Sequence, residues 1–184
     1  TSEVLNMKYE SIAPENFDMN AFNEIGKRWM LIGAYDKDKD APRRYNAMTA
    51  SWGSIGVMWG KPVFWCFVRP QRYTLEFLDT ADTATLSFLP DDLHSALSYC
   101  GKASGRDEDK LAKCGLTPVV TEDGELMFEE AETTIVGKKI YRSAIVPEGF
   151  AAVGTESIDN ANYPKKDYHI VFCYEITDIR VKRD

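Results

Sequence analysis

The groups best suited to chemistry are basic and hydroxyl side chains gathered in two places. Arg69, Arg72, Tyr73 and Thr74 stand together after the apolar run Pro62 to Val68. Lys110 closes the stretch Ser104-Gly105-Arg106-Asp107-Glu108-Asp109-Lys110. Guanidinium and ammonium groups beside hydroxyls hold anions such as phosphate through charge-assisted hydrogen bonds. Thr74 is also a candidate helix N-cap, and free backbone N–H groups there would add to anion binding. The same arginines would serve equally as surface partners of nearby acids. A third stretch, Arg44-Tyr45-Asn46-Ala47-Met48-Thr49-Ala50-Ser51-Trp52-Gly53, alternates with the two-residue period of a pleated strand. Its end is crowded with small residues, which let something flat and large approach the main chain. Asn46, Thr49 and Ser51 supply donors and acceptors for a polar ring edge. An ordinary buried strand would look the same.

Other chemistries find less support. Ser104-Gly105-Arg106 lacks the G-x-S-x-G frame of a nucleophile turn, and neither histidine, His94 or His169, sits in a triad context. No G-x-G-x-x-G is present, so a nicotinamide would not be bound through a dinucleotide-binding crossover. The cysteines Cys66, Cys100, Cys114 and Cys173 form no C-x-x-C pair, and no metal site is expected. Asp36 to Asp40 alternates charge like a calcium loop but lacks its glycine and closing glutamate. The 29 acidic residues outnumber the 22 basic ones for a net charge of −7, which argues against nucleic-acid binding. No long apolar run suggests a membrane span, and no signal peptide is visible. Buried-looking thiols fit a reducing, cytoplasmic setting.

Taken in order, N-x-M-T-A-S-W, R-P-x-R-Y-T and C-G-x-x-S-G-R-D-x-D-K make the chain resemble the flavin reductase-like family with the FMN-binding split barrel, and most of all its flavoredoxin members. The resemblance covers roughly residues 25 to 176. It implies a split β-barrel of Greek-key type, mainly β with peripheral helices, and an FMN-binding oxidoreductase, with FMN favoured over FAD. It implies ring contacts from Asn46, Met48, Thr49, Ala50, Ser51 and Trp52. Contacts to the phosphate and ribityl chain would come from Arg69, Arg72, Tyr73, Thr74, Ser104, Gly105, Asp107 and Lys110. His169 matches a histidine near the flavin or nicotinamide in relatives; a surface strand-end histidine is the plainer alternative. Cys100 is either redox-active or, more simply, a packing residue. NAD(P)H, a redox protein partner and homodimerisation are further implications. The contrasting reading is a non-catalytic split-barrel module for another ligand or a protein partner.

The elements that must position these groups are readable from periodicity. One domain over 1–184 is expected, with 44% hydrophobic residues to fill its core. Residues 1–16 read as an arm across the surface. Phe17 to Gly26 reads as a helix with Phe22 and Ile25 inward and Gly26 stopping it. Arg28 to Tyr35 and the opening stretch read as a hairpin, and Ser54 to Lys61 as a loop. Pro62 to Val68 reads as a strand buried on both faces. Thr74 to Asp79 is a short helix, Thr83 to Leu89 a strand, and Pro90 to Cys100 and Asp107 to Cys114 are helices. Thr117 to Thr121 turns at Asp123-Gly124 into a return strand, Leu126 to Ile135. Lys138 to Val146 and Tyr168 to Ile176 are strands, with a loop from Asp159 to Lys166.

Overall fold

The structure is a computed structural model that describes residues 8–40 and 42–183. Residues 1–7 of the expected arm and Ala41 of the expected polar turn lie outside the described residues. The strands are β1 Tyr9–Ser11, β2 Met30–Tyr35, β3 Tyr45–Ala50, β4 Gly53–Met58, β5 Lys61–Val68, β6 Thr83–Phe88, β7 Pro118–Val120, β8 Leu126–Phe128, β9 Thr133–Ala144 and β10 Ile170–Lys182. Short helices lie outside them: α1 Ala21–Asn23, α2 Thr74–Thr80, α3 His94–Lys102, α4 Lys110–Lys113, α5 Pro147–Ala151 and α6 Glu156–Asn162.

The main sheet runs β3-β2-β6-β9-β10-β5-β4, with β1 added to the far end of β10 and β7-β8 forming a separate hairpin. Its pairings are antiparallel. β3 and β4 are the two ends of this path, yet only Ser51 and Trp52 separate them in sequence. Seven flat strands would hold their outer edges roughly 29 Å apart, whereas a two-residue link reaches only about 10 Å. The sheet therefore curls until its edges approach at that link, which makes a barrel split between β3 and β4.

β2 supplies both sides of its wall. Met30 and Ile32 enter a cluster with Phe64, Phe77, Leu86, Phe172 and Tyr174. Leu31 enters the opposite cluster with Ala47, Leu97, Cys100 and Leu111 beneath α3, as strand alternation requires. Gly137 lets β9 close on this core, because a Cβ there would collide with the Phe64 ring and the Tyr174 Cβ.

Several expectations change. Residues 9–11 of the expected arm are a paired strand: β1 sits on β10, and the buried Tyr9 hydroxyl lies 3.0–3.1 Å from the carbonyls of Phe128, Glu129 and Ala131. Phe22 is 92% exposed, although Ile25 is buried as expected. The helical turn continues past Gly26 in a wider coil to Arg28 and stops at Trp29, whose φ is 70°. A widened turn rotates the 3.6-residue phase, so Phe22 and Ile25 no longer share a face. Residues 54–58 are strand, not loop, because β5 offers them a partner edge. The return from Gly124 breaks after Phe128, and the next strand starts at Thr133 and continues to Ala144. Of the expected loop Asp159 to Lys166, residues 159–162 are instead the end of a helix that begins at Glu156.

Candidate functional site

The split opens into a cleft of two adjoining chambers. The first, about 220 Å³, is walled by Met48, Thr49, Ala50, Ser51 and Trp52 from β3 and its link, with Phe67 on β5 and His169 ahead of β10. The second, about 330 Å³, is walled by Asn46, Tyr73, Thr74, Ser104, Gly105 and Lys110. Arg69 and Arg72 border both. Ser51, Arg72 and Lys110, which come from three separate stretches of chain, thus converge on one cleft. Asp107 does not join them: it is exposed, and its backbone N–H closes a turn on the Ser104 carbonyl at 3.2 Å.

Local packing explains the cradle. Asn46 is buried, and its amide donates to the Thr74 hydroxyl at 2.9 Å. That bond uses Thr74 inside the first turn of α2 rather than as its N-cap; Tyr73 holds the cap position, with no side-chain bond to the helix. Gly105 lies against the Asn46 amide and the Tyr73 ring so closely that any Cβ would collide with the amide. Arg43 fastens this loop from outside by donating to the carbonyls of Gly105 and Glu108 at 3.0 Å. The Thr49 hydroxyl is committed to the Leu97 carbonyl at 2.5 Å and is not the free donor that its sequence position suggests.

The three cations at the cleft differ. Arg69 is ion-paired with Asp167 at 2.9 Å and also donates to the Asn162 carbonyl at 3.0 Å. Arg72 and Lys110 have no carboxylate partner among the described residues. Arg72 donates to the carbonyls of Gly101 and Cys100 at 2.7 and 3.3 Å. Lys110, 3% exposed, donates to those of Cys100 and Ala103 at 3.0 and 3.1 Å. These carbonyls belong to the C-terminal end of α3 and its cap, where the helix dipole favours cations. That compensation is partial. Burial pulls the Lys110 ammonium down to about 8 and also lowers the Arg72 guanidinium. A buried and a half-buried cation, met only by neutral carbonyls among the described residues and facing a cavity, suit a polyvalent anion.

The other wall is aromatic. The Trp52 and His169 rings lie 5.1 Å apart at 49°. His169 Nδ1 is 2.8 Å from the Tyr163 hydroxyl. Burial first, and then Arg69, lowers the imidazole to about 4, so it is neutral near pH 7. Burial also raises the Tyr163 phenol. Tyr163 therefore keeps its proton, and its hydroxyl and this ring nitrogen share one hydrogen bond that holds the imidazole in place. The sequence reading missed Tyr163, Phe67 and Arg43. For Tyr163 the available signal was its place six residues before His169 in a loop otherwise of polar residues.

The flavin reductase like domain, as a sequence family, matches residues 22–184. No curated protein matches the chain. Among solved structures, the flavoredoxin of Desulfovibrio vulgaris (Miyazaki F) is 27% identical with a TM-score of 0.61, covering 83% of this chain and 68% of that one. A flavoredoxin from Methanosarcina acetivorans is 19% identical with a TM-score of 0.60, over 89% of this chain and 73% of that one. A protein described as a flavin reductase with split barrel domain, from Shewanella frigidimarina NCIMB 400, is 15% identical with a TM-score of 0.62, over 98% and 78%. The last two likenesses concern the fold alone, and that fold is the split barrel expected from the sequence.

Proposed function

The chain belongs to the flavin reductase-like family, and from that premise we propose that it is an FMN-binding oxidoreductase. The observation that carries the reading is the pair of half-buried Arg72 and buried Lys110, without a carboxylate partner among the described residues, where a slot of small residues meets a cavity. A phosphate is the anion they fit. Arg72 and Lys110 bind it, while Gly105 keeps the loop close enough for Ser104 to face it. Asn46, locked by Thr74, fixes the loop against β3. The open main chain of residues 48–51 leaves room for a flat ring, walled by Trp52 and the neutral His169. Arg69, held by Asp167, borders both chambers as a positioned positive charge rather than a third phosphate ligand. Bound FMN supplies hydride or electron acceptance, which requires no side-chain acid.

Two finer readings share this site. One is an NAD(P)H-dependent flavin reductase; the other is a flavoredoxin-like carrier that serves a protein partner. We read the protein as a homodimer, since Val57, Met58 and Trp59 form an exposed apolar face on β4 and the turn after it. We place it in the cytoplasm, where the buried free cysteines Cys66 and Cys173 would stay reduced. Among the described residues no helix is long and apolar enough to cross a membrane.

The test is direct. The purified protein, supplied with FMN and desalted, is expected to retain a yellow chromophore that chromatographs as FMN. A protein that stays colourless overturns the proposal in favour of a non-flavin binding module. Mixing the yellow protein with NADH or NADPH then separates the finer readings: bleaching within seconds selects the reductase, and no bleaching selects the carrier.

A further inference from the structure

We propose that Cys100 and Cys114 form a reversible disulfide that staples the loop carrying the anion cradle. The existence of this modification site is independent of the flavin reading, whereas its effect on cofactor release rests on it. The two sulfurs stand 3.6 Å apart across 14 residues of sequence. Cys100 lies in the last turn of α3, and Cys114 caps the C-terminus of α4. A disulfide needs about 2.05 Å between sulfurs, so closure asks for a shift of roughly 1.5 Å at the ends of two short helices.

The closed segment would contain Lys102, Ala103, Ser104, Gly105 and Lys110, five of the eleven residues that wall the second chamber. Its first residue is already part of the cradle, because the Cys100 carbonyl accepts from both Arg72 and Lys110. Fixing Cys100 to Cys114 therefore fixes the carbonyls that aim both cations.

Access is asymmetric. Cys114 is partly exposed, while Cys100, Cys66 and Cys173 are buried. Cys114 is the entry point for a low-molecular-weight disulfide of the glutathione type. Its thiolate attacks one sulfur of that disulfide; the small S–S bond breaks, and one thiolate leaves and takes up a proton. The Cys100 sulfur then attacks the Cys114 sulfur, and the second small thiolate departs with the proton that Cys100 gives up. Two cysteine thiols are oxidised, one small disulfide is reduced to two thiols, and no proton is gained or lost overall. Burial pushes the Cys100 thiol up to about 12, against the pull of Lys110 and Arg72. Its attack is rapid only because the target is adjacent, as an intramolecular step allows.

The full chain, exposed to oxidised glutathione, alkylated and mapped by peptide mass, is expected to show a Cys100–Cys114 link. Its melting temperature should rise by roughly 5–10 °C, the scale of stapling a loop of this length in a chain of this size. Dithiothreitol should reverse both changes. FMN should leave the oxidised protein several-fold more slowly, with riboflavin release unchanged. Cys114→Ser should show no link and no shift. A persistent mixed disulfide at Cys114, fully reduced thiols, or a link that alters neither melting nor FMN release would overturn the proposal. If neither redox state takes up FMN, the flavin reading fails by itself, and the melting shift and its absence in Cys114→Ser still decide whether the staple exists.

Discussion

The molecule carries two kinds of concavity, and the contrast between them is instructive. Beneath the β4–β5 hairpin lies a groove of about 430 Å³, walled by residues such as Phe17, Met19, Ile55, Val57, Pro62 and Ile176. The cleft at the split is divided into chambers of about 220 and 330 Å³. The groove is larger than either chamber, but nothing in its apolar lining requires a particular occupant, and simple coverage by any apolar surface would suffice. The cleft holds half-buried Arg72 and buried Lys110 with only carbonyls for company among the described residues. Holding charge in that state costs stability, and an anionic ligand returns that cost. Unbalanced charge is thus a sharper guide to function than volume.

The contrast is tested most severely by removing the charge. Arg72→Ala with Lys110→Ala should weaken FMN about a hundredfold or more, from two charge-assisted bonds worth roughly 1.5–3 kcal/mol each. Riboflavin, which has no phosphate, should bind almost as before. Titration calorimetry with both ligands measures this, and equal losses would show that the two cations hold something other than the phosphate.

A smaller effect comes from pH. Lys110 titrates at about 8 in the ligand-free protein, below its ordinary 10.5. The unfolded chain binds more protons between those values, so the empty protein should gain stability as pH rises from about 8 to 10.5. Phosphate binding needs the ammonium, so FMN affinity should fall above pH 8, approaching tenfold per pH unit. In Lys110→Ala that slope should vanish. A wild-type affinity flat from pH 7 to 9.5 would remove Lys110 from the site.

Backbone fit separates the two regions more gently. Gly105→Ala brings a methyl into the Asn46 amide, whereas Gly56→Ala beside the groove meets nothing within 4 Å. The first should weaken FMN several-fold to tenfold by displacing the loop; the second should leave it unchanged. The smallest effect on the cleft belongs to Val57→Asp. Val57 is 78% exposed on β4, so the substitution should shift sedimentation toward monomer with the flavin spectrum intact. An unchanged sedimentation profile would remove this face from the dimer contact.

Much of the architecture was legible because burial and period agree. Met30 to Tyr35, Thr83 to Phe88 and Lys61 to Val68 are apolar enough to be strands in any context. β4 was not legible: Gly53-Ser54-Ile55-Gly56 has poor strand propensity and becomes a strand only because β5 presents an edge. Residues 156–162 are rich in Asp and Asn, weak helix formers. That helix is held by the buried Asp159, which accepts from the Tyr168 hydroxyl at 2.9–3.0 Å and pairs with Lys166.

By itself the sequence determined which groups are present and on which elements: a strand ending in small residues, two arginines after an apolar strand, and a lysine at a helix start. Residue type and local period carry that information, since each depends on neighbours a few positions away. Only the tertiary structure decided which of those groups remain available. Arg69 is neutralised by Asp167, 98 residues away, and Arg72 is not. Thr49 is taken up by Leu97, and the His169 ring is held by the Tyr163 hydroxyl. Charge balance and hydrogen-bond satisfaction are properties of what lies within a few ångströms in space, and folding alone chooses those neighbours.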